Sequence, residues 1–219
     1  MQCDRCRMPA VLYQSYSGRH LCADHLCTDI VSRAKRVIRQ NHWLVRGDRI
    51  GFFEGMRGSE PLFVFLENLL NNRSDVGLIR LILPDSATLN EPVPLQALSD
   101  IAIKAGVTRI ALSDTTEDIA VRTLDALFSD KVDLLLNGDH PNLSIPVMLP
   151  FREIPDKELQ LFADHYGVSV RGLEYQEYHL ISLEKSLRTL LGEFTAGHPS
   201  APHAMRHYHD NLLFLTSED

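Results

Sequence analysis

Apolar residues in this chain fall into short continuous runs, separated by stretches with helical spacing. Arg49-Ile50-Gly51-Phe52-Phe53, Val76 to Leu83, Val107 to Leu112 and Val132 to Leu136 each read as a strand. Runs that are apolar throughout, rather than alternating, indicate strands covered on both faces, as in a parallel sheet. Between them lie predicted helices. Thr28-Asp29 can cap one running through Ile30, Val31, Ala34, Val37 and Ile38. Ser59-Glu60-Pro61 has the cap, acid and proline of a helix start, and Leu62 to Leu70 continue it. Further helices are predicted over 93–105, Thr116 to Phe128, from Pro155-Asp156, and over 179–196 and 202–214. The alternation predicts an α/β fold, a doubly wound parallel sheet, in which ligands bind beyond the carboxyl ends of the strands. The loop after the first strand, Glu54 to Ser59, is therefore the first place to look for a site.

The first 27 residues do not fit this alternation, and they change the picture. They hold all four cysteines of the chain, Cys3, Cys6, Cys22 and Cys27. Cys3-x-x-Cys6, fifteen residues, then Cys22-Ala23-Asp24-His25 places two ligand pairs on tight turns. Three thiolates and an imidazole make a closed tetrahedral set, and the expectation is a structural zinc ion. Cys27 could replace His25, and His20 is a weaker rival. A head this short cannot bury enough surface to fold unaided, so metal binding would drive its folding. The expected organisation is a zinc-binding head over 1–27, a connecting basic helix over 28–48, an α/β domain over 49–172 and C-terminal helices over 173–219.

Charge adds a direction. The chain carries −7 overall, yet residues 1–50 hold 9 Lys/Arg against 4 Asp/Glu. A basic head on an acidic body suits an anionic partner. Arg33, Lys35, Arg36 and Arg39 form a stripe that either meets nucleic-acid phosphates or is a solvated helix face. No run reaches the roughly 18 to 20 apolar residues of a membrane helix, and no signal peptide is visible, so a cytoplasmic protein without a membrane partner is expected. Near the C-terminus His198, His203, His207 and His209 crowd together, with Asp210 beside them. His203 and His207 share a helix face that either binds metal or touches a neighbouring loop.

In order and spacing these parts resemble the tRNA 2-thiolation family of PP-loop ATP pyrophosphatases, adenine nucleotide α-hydrolase-like proteins with a CxxC…CxxH head. The resemblance implies a loop written S-G-G-x-D-S that grips the pyrophosphate of ATP, adenylation of a base carbonyl, and installation of sulfur. Glu54-Gly55-Met56-Arg57-Gly58-Ser59 lies over that loop, and Ala111 to Leu124 over a segment that usually reads A-T-G-H-N-x-D-D. Pro150 to Pro155 with Glu158 resembles the family's P-L-R-x-x-P-x-x-E, and His198-Pro199 with Arg206 its C-terminal H-P-G and arginine. By this resemblance Gly55, Arg57, Gly58, Ser59 and Asp114 are the nucleotide-binding candidates.

The departures are as informative. Glu54 stands for the first Ser, Met56 for the second Gly and Gly58 for the Asp. A carboxylate near phosphates repels them, and Met56 puts bulk where backbone should approach ligand. ATP–Mg binding is thus expected to be weakened. Active relatives carry mid-domain cysteines for an iron–sulfur cluster or persulfide; residues 28–219 have none, so no iron–sulfur cluster is expected. Three readings follow. The first is a degenerate homologue that binds tRNA or an active paralogue. The second is an active ATP-dependent tRNA sulfurtransferase using an external sulfur donor. The third is a metal-dependent hydrolase built on the C-terminal histidines. Homo-oligomerisation stays open.

Overall fold

The structure, a computed structural model, describes residues 1–83, 93–136, 140, 143–172, 175–176 and 184–216. Four parallel strands form the central sheet: β3 (Arg49–Phe53), β4 (Gly77–Leu81), β6 (Arg109–Ala111) and β7 (Val147–Met148), in the order β4-β3-β6-β7. Two short strands precede them as an antiparallel hairpin, β1 (Leu12–Gln14) and β2 (Arg19–Leu21). A separate two-residue pairing joins β5 (Val93–Pro94) to β8 (Tyr175–Gln176).

Helices α1 (Ala23–Gln40), α2 (Ser59–Leu70) and α6 (Asp156–Tyr166) cover one face of the sheet. Helices α3 (Leu95–Lys104) and α4 (Thr116–Phe128) cover the other. The period-two alternation of a strand sorts the core accordingly. Ile50, Phe52, Ala111 and Met148 pack with Ile30, Leu62, Phe65 and Phe162. Phe53, Ile110 and Leu112 pack with Leu98, Ala102 and Ile119. Gly51 is small for a reason: a Cβ there would lie 2.9 Å from Leu81 and Val107 side chains. Two further helices, α7 (Glu184–Gly197) and α8 (Ala201–Thr216), lie against α4 through Leu187, Leu191, Val121 and Met205.

Two expectations change. Val132 to Leu136 is helix α5, not a strand; an apolar run of five residues carries no period that separates the two. The helix expected from Thr28 begins at Ala23 with Cys22 as its N-cap, so the helix grows directly out of the second cysteine pair. Of the helix predicted over 179–196, residues 179–183 lie outside the described residues. The head also lacks a core of its own. Cys3, Leu12, Leu21, Cys22 and Leu26 belong to the same buried cluster as Phe52, Phe151 and Phe162.

Candidate functional site

Two places gather chemistry-bearing side chains. In the head, a turn held by Cys3 N–H donating to the Met8 carbonyl (2.7 Å) and Arg7 N–H donating to the Cys3 carbonyl (3.0 Å) presents Cys3 and Cys6. The first turn of α1 presents Cys22 and His25. The ligand atoms of these four residues lie within 4.8 Å of one another. Cys22 Sγ is 3.2 Å from His25 Nδ1 and 3.6 Å from Cys6 Sγ. Burial works to raise the Cys3 thiol, but the Cys22, Arg5 and Cys6 amides outweigh it and hold its pKa at about 6. At Cys6 the Met8 amide lowers the pKa, but burial and the Cys22 and Cys3 sulfurs outweigh it and push it up. Thiolates this close repel unless a cation lies among them, which is the electrostatic signature of a metal centre. Cys27 stays outside the group, its thiol pushed up to about 11 by burial, Asp24 and Cys22. His20 lies 4.0 Å from Asp4 instead.

A clasp ties this head to the body. Glu158 on α6, almost wholly buried, accepts from Gln14 Nε2 (3.1 Å), from the Tyr16 hydroxyl (2.6 Å) and from Arg33. Arg33 also meets Asp29 at 3.0 Å and donates to the Glu153 carbonyl at 2.9 Å. The basic stripe therefore divides. Arg33 is an internal strut and Arg36 meets Glu153 at 2.5 Å, whereas Lys35 and Arg39 face solvent. The C-terminal histidines do not assemble a metal site. Among the described residues the convergent group is the head's. His203 packs at a tilt against Tyr16 (centroids 4.4 Å apart, planes at 52°), and burial with Arg206 and Arg33 lowers its pKa to about 4. His209 is fully buried.

The second place is the crevice at the carboxyl ends of β3 and β6. These strands are neighbours, but α2 carries the chain from β3 outward to β4, while α4 lies on the path from β6 to β7 on the other side. That reversal makes a topological switch point. The loop 54–59 and the segment 112–118 flank it. The loop is closed upon itself. Gly58, at φ 69, has its N–H taken by the Val170 carbonyl at 2.9 Å, and Ser113 donates to the Arg57 carbonyl. A Cβ at Gly58 would lie 2.6 Å from Ser113 Oγ, and one at Gly172 would strike the Gly55–Met56 backbone. The void left beside Ser59 and Ser113 is about 20 Å³, room for one water.

Ion pairs fill the mouth of the crevice. Asp118 caps α4 through Thr115 and is held by Arg57 and, at 2.6 Å, by Arg188 of α7. Burial works to raise its pKa, but these guanidiniums hold it at about 2. Asp114 meets Arg122 at 2.6 Å and His140 at 3.4 Å. Burial first, and the nearby Asp156 carboxylate second, push Glu117 up to about 7.

Two expectations about the loop are revised. Glu54 is turned to Arg80 at 3.2 Å, half exposed, so its charge is met by a cation at the surface. Met56 is buried with Phe53 and Leu112, so its bulk fills core. The partners of Arg57, Gly58 and Glu158 had no trace in local spacing, because each lies more than fifty residues away in the chain.

Comparison with known proteins fits this picture. Residues 2–27 match the family described as 2-thiouridine synthetase TtuA, N-terminal LIM domain. The tRNA 2-thiolation protein NcsA of Haloferax volcanii is 46% identical over 46 residues, which are 21% of this chain and 14% of that protein. The fold matches that of the U34-tRNA thiolase NcsA from Methanococcus maripaludis with its [4Fe-4S] cluster, at TM-score 0.76 and 14% identity, over 97% of this chain and 87% of that one. The last finding corrects the cofactor expectation of structural zinc and no iron–sulfur cluster, since the solved relative of this fold carries a [4Fe-4S] cluster. The physical reason is that soft thiolate ligands serve iron–sulfur centres as readily as single ions, so ligand spacing does not name the metal.

Proposed function

We propose that the chain is a member of the tRNA 2-thiolation family that binds tRNA and does not turn over ATP, a reading supported by the match of its head and the likeness of its fold. The observation that supports this reading is the closed loop at the switch point. A phosphate cradle works through backbone N–H groups aimed at an anion. Here the Gly58 N–H is spent on the Val170 carbonyl, and the Arg57 guanidinium on Asp118. The first turn of α2 already carries Glu60, which accepts from the Ser169 N–H at 2.8 Å.

Cofactor chemistry is confined by where the thiols are. All four cysteines lie within residues 3–27, and three converge with His25. A metal centre or iron–sulfur cluster held by this chain's own thiolates belongs in the head, on Cys3, Cys6 and Cys22. Such a centre supplies folding free energy there. The crevice, without thiols, is left with ion pairs and hydrogen bonds.

The test is a reconstitution. Protein, tRNA, ATP–Mg and a sulfide source are incubated together, and pyrophosphate and thiolated nucleoside are measured. The reading expects neither. Release of pyrophosphate with tRNA thiolation establishes the adenylating enzyme in its place.

A further inference from the structure

A cationic groove lies away from the crevice. It runs between the C-terminal ends of α1 and α2 and has a volume of about 560 Å³. Lys35, Arg39, His42 and Arg73 line it over an apolar floor that includes Ile38 and Leu69, and none of its lining residues is acidic. This on a chain of net charge −7 is a local reversal of sign. Helix α2 starts beyond the carboxyl end of β3 and runs back, and α1 leads into the start of β3. The groove therefore sits at the amino-terminal edge of the sheet, opposite the crevice.

We propose that this groove is a docking surface for the phosphodiester backbone of RNA, which rests on the tRNA-binding reading above. Lys35 and Arg39, one turn apart on α1, are exposed, and among the described residues neither is in an ion pair. Arg36 and Arg33 on the same helix are committed to Glu153, Glu158 and Asp29. The helix thus separates its struts from its uncommitted charges, and the uncommitted ones face the groove. Arg73 is held by Asp75 through two contacts, 3.0 Å from Nε and 2.6 Å from Nη2, which fixes its plane at the rim. His42, at φ 51, takes the left-handed position after the helix end where glycine is usual, and so joins the same rim. Paired and unpaired cations spaced along one groove suit a polyanion, whose successive phosphates release counterions as they bind. A second groove, of about 530 Å³ with Arg57, Lys157 and Arg171, includes Asp156, and its Arg57 pairs with Asp118.

The experiment measures binding of an unmodified tRNA transcript by fluorescence anisotropy across a salt series. Lys35→Ala with Arg39→Ala is expected to weaken binding about tenfold at low salt and to lower the slope of log K against log salt by about two. The charge-preserving pair Lys35→Arg with Arg39→Lys is expected to retain both affinity and slope. Arg36→Ala, removing a charge paired with Glu153, is expected to leave the slope unchanged. An alanine pair that binds like the parent, or a parent protein that does not bind the transcript, overturns the proposal. Neither result touches the claim that ATP is not used, which the nucleotide measurements decide separately.

Discussion

The head and the crevice both bring charged and polar side chains to one point, yet they do so in opposite ways. In the head, three thiols and an imidazole converge on one another. In the crevice the guanidiniums meet carboxylates, Arg57 and Arg188 with Asp118 and Arg122 with Asp114, while Glu117 lies beside the Asp156 carboxylate. Convergence alone therefore does not make a site. The head's thiols converge where a cation would fit, whereas the described arginines of the crevice are paired with carboxylates of the same chain.

The largest expected effect comes from breaking the head. Cys22→Ala removes one of the converging thiols at the residue from which α1 starts. Because the head's buried residues share a cluster with Phe52 and Phe162, metal loss should lower the stability of the whole chain. Metal binding contributes several kcal/mol to folding in small sites. The thermal midpoint should thus fall by about 10 °C or more, as one calorimetric transition. A separate low-temperature transition for the head alone, with the main one unmoved, would show two independent cores.

Next in size is the clasp. Glu158→Ala leaves Arg33, itself only 12% exposed, without its main carboxylate. Breaking a buried pair from one side costs about 3–5 kcal/mol, read as a lower urea midpoint at unchanged m-value. A loss below about 1 kcal/mol would mean that Asp29 and the Glu153 carbonyl suffice.

How far the sequence revealed these two regions follows from how local each one is. The head's ligands repeat at short spacing, and the structure converges those same four residues. The α4 capping box is as local, with Thr115 and Asp118 three apart, but the sequence reading placed only the helix start at Thr116 and named no cap. The parallel alternation was legible because runs such as Ile50 to Phe53 are apolar on both faces. The fate of Arg33 was not, because Glu158 lies 125 residues on. Nor was the burial of Met56, which depends on α3 and α4 closing the second face, or the two-residue β7, which is too short to carry a period.

The crevice offers a smaller perturbation with a defined pH signature. Asp118 has a folded pKa of about 2 against an ordinary 3.8. A depressed carboxylate contributes stability that is fully present above its unfolded value and is lost as pH falls through the folded one. Asp118→Asn should therefore cost about 2 kcal/mol at neutral pH, and the difference from the parent should shrink between pH 4 and pH 2. A difference independent of pH would show that the carboxylate's charge is irrelevant there.

The smallest effect has the opposite sign. Glu117, raised to about 7 from 4.5 by burial and by Asp156, is destabilising when it is ionised. Its cost is absent below about pH 4.5 and complete above pH 7. Glu117→Gln keeps the acceptor that the Asp156 N–H uses at 2.9 Å, so it should stabilise the protein at pH 8 by on the order of 1 kcal/mol and do nothing at pH 4. Stabilisation of equal size at both values would point to packing instead of charge.

The proposed reading has the ion-paired crevice taking up no nucleotide. Isothermal titration of the metal-loaded protein with ATP–Mg tests it most directly. The account predicts no saturable heat up to millimolar nucleotide; a stoichiometric isotherm with a dissociation constant in the micromolar range would contradict it.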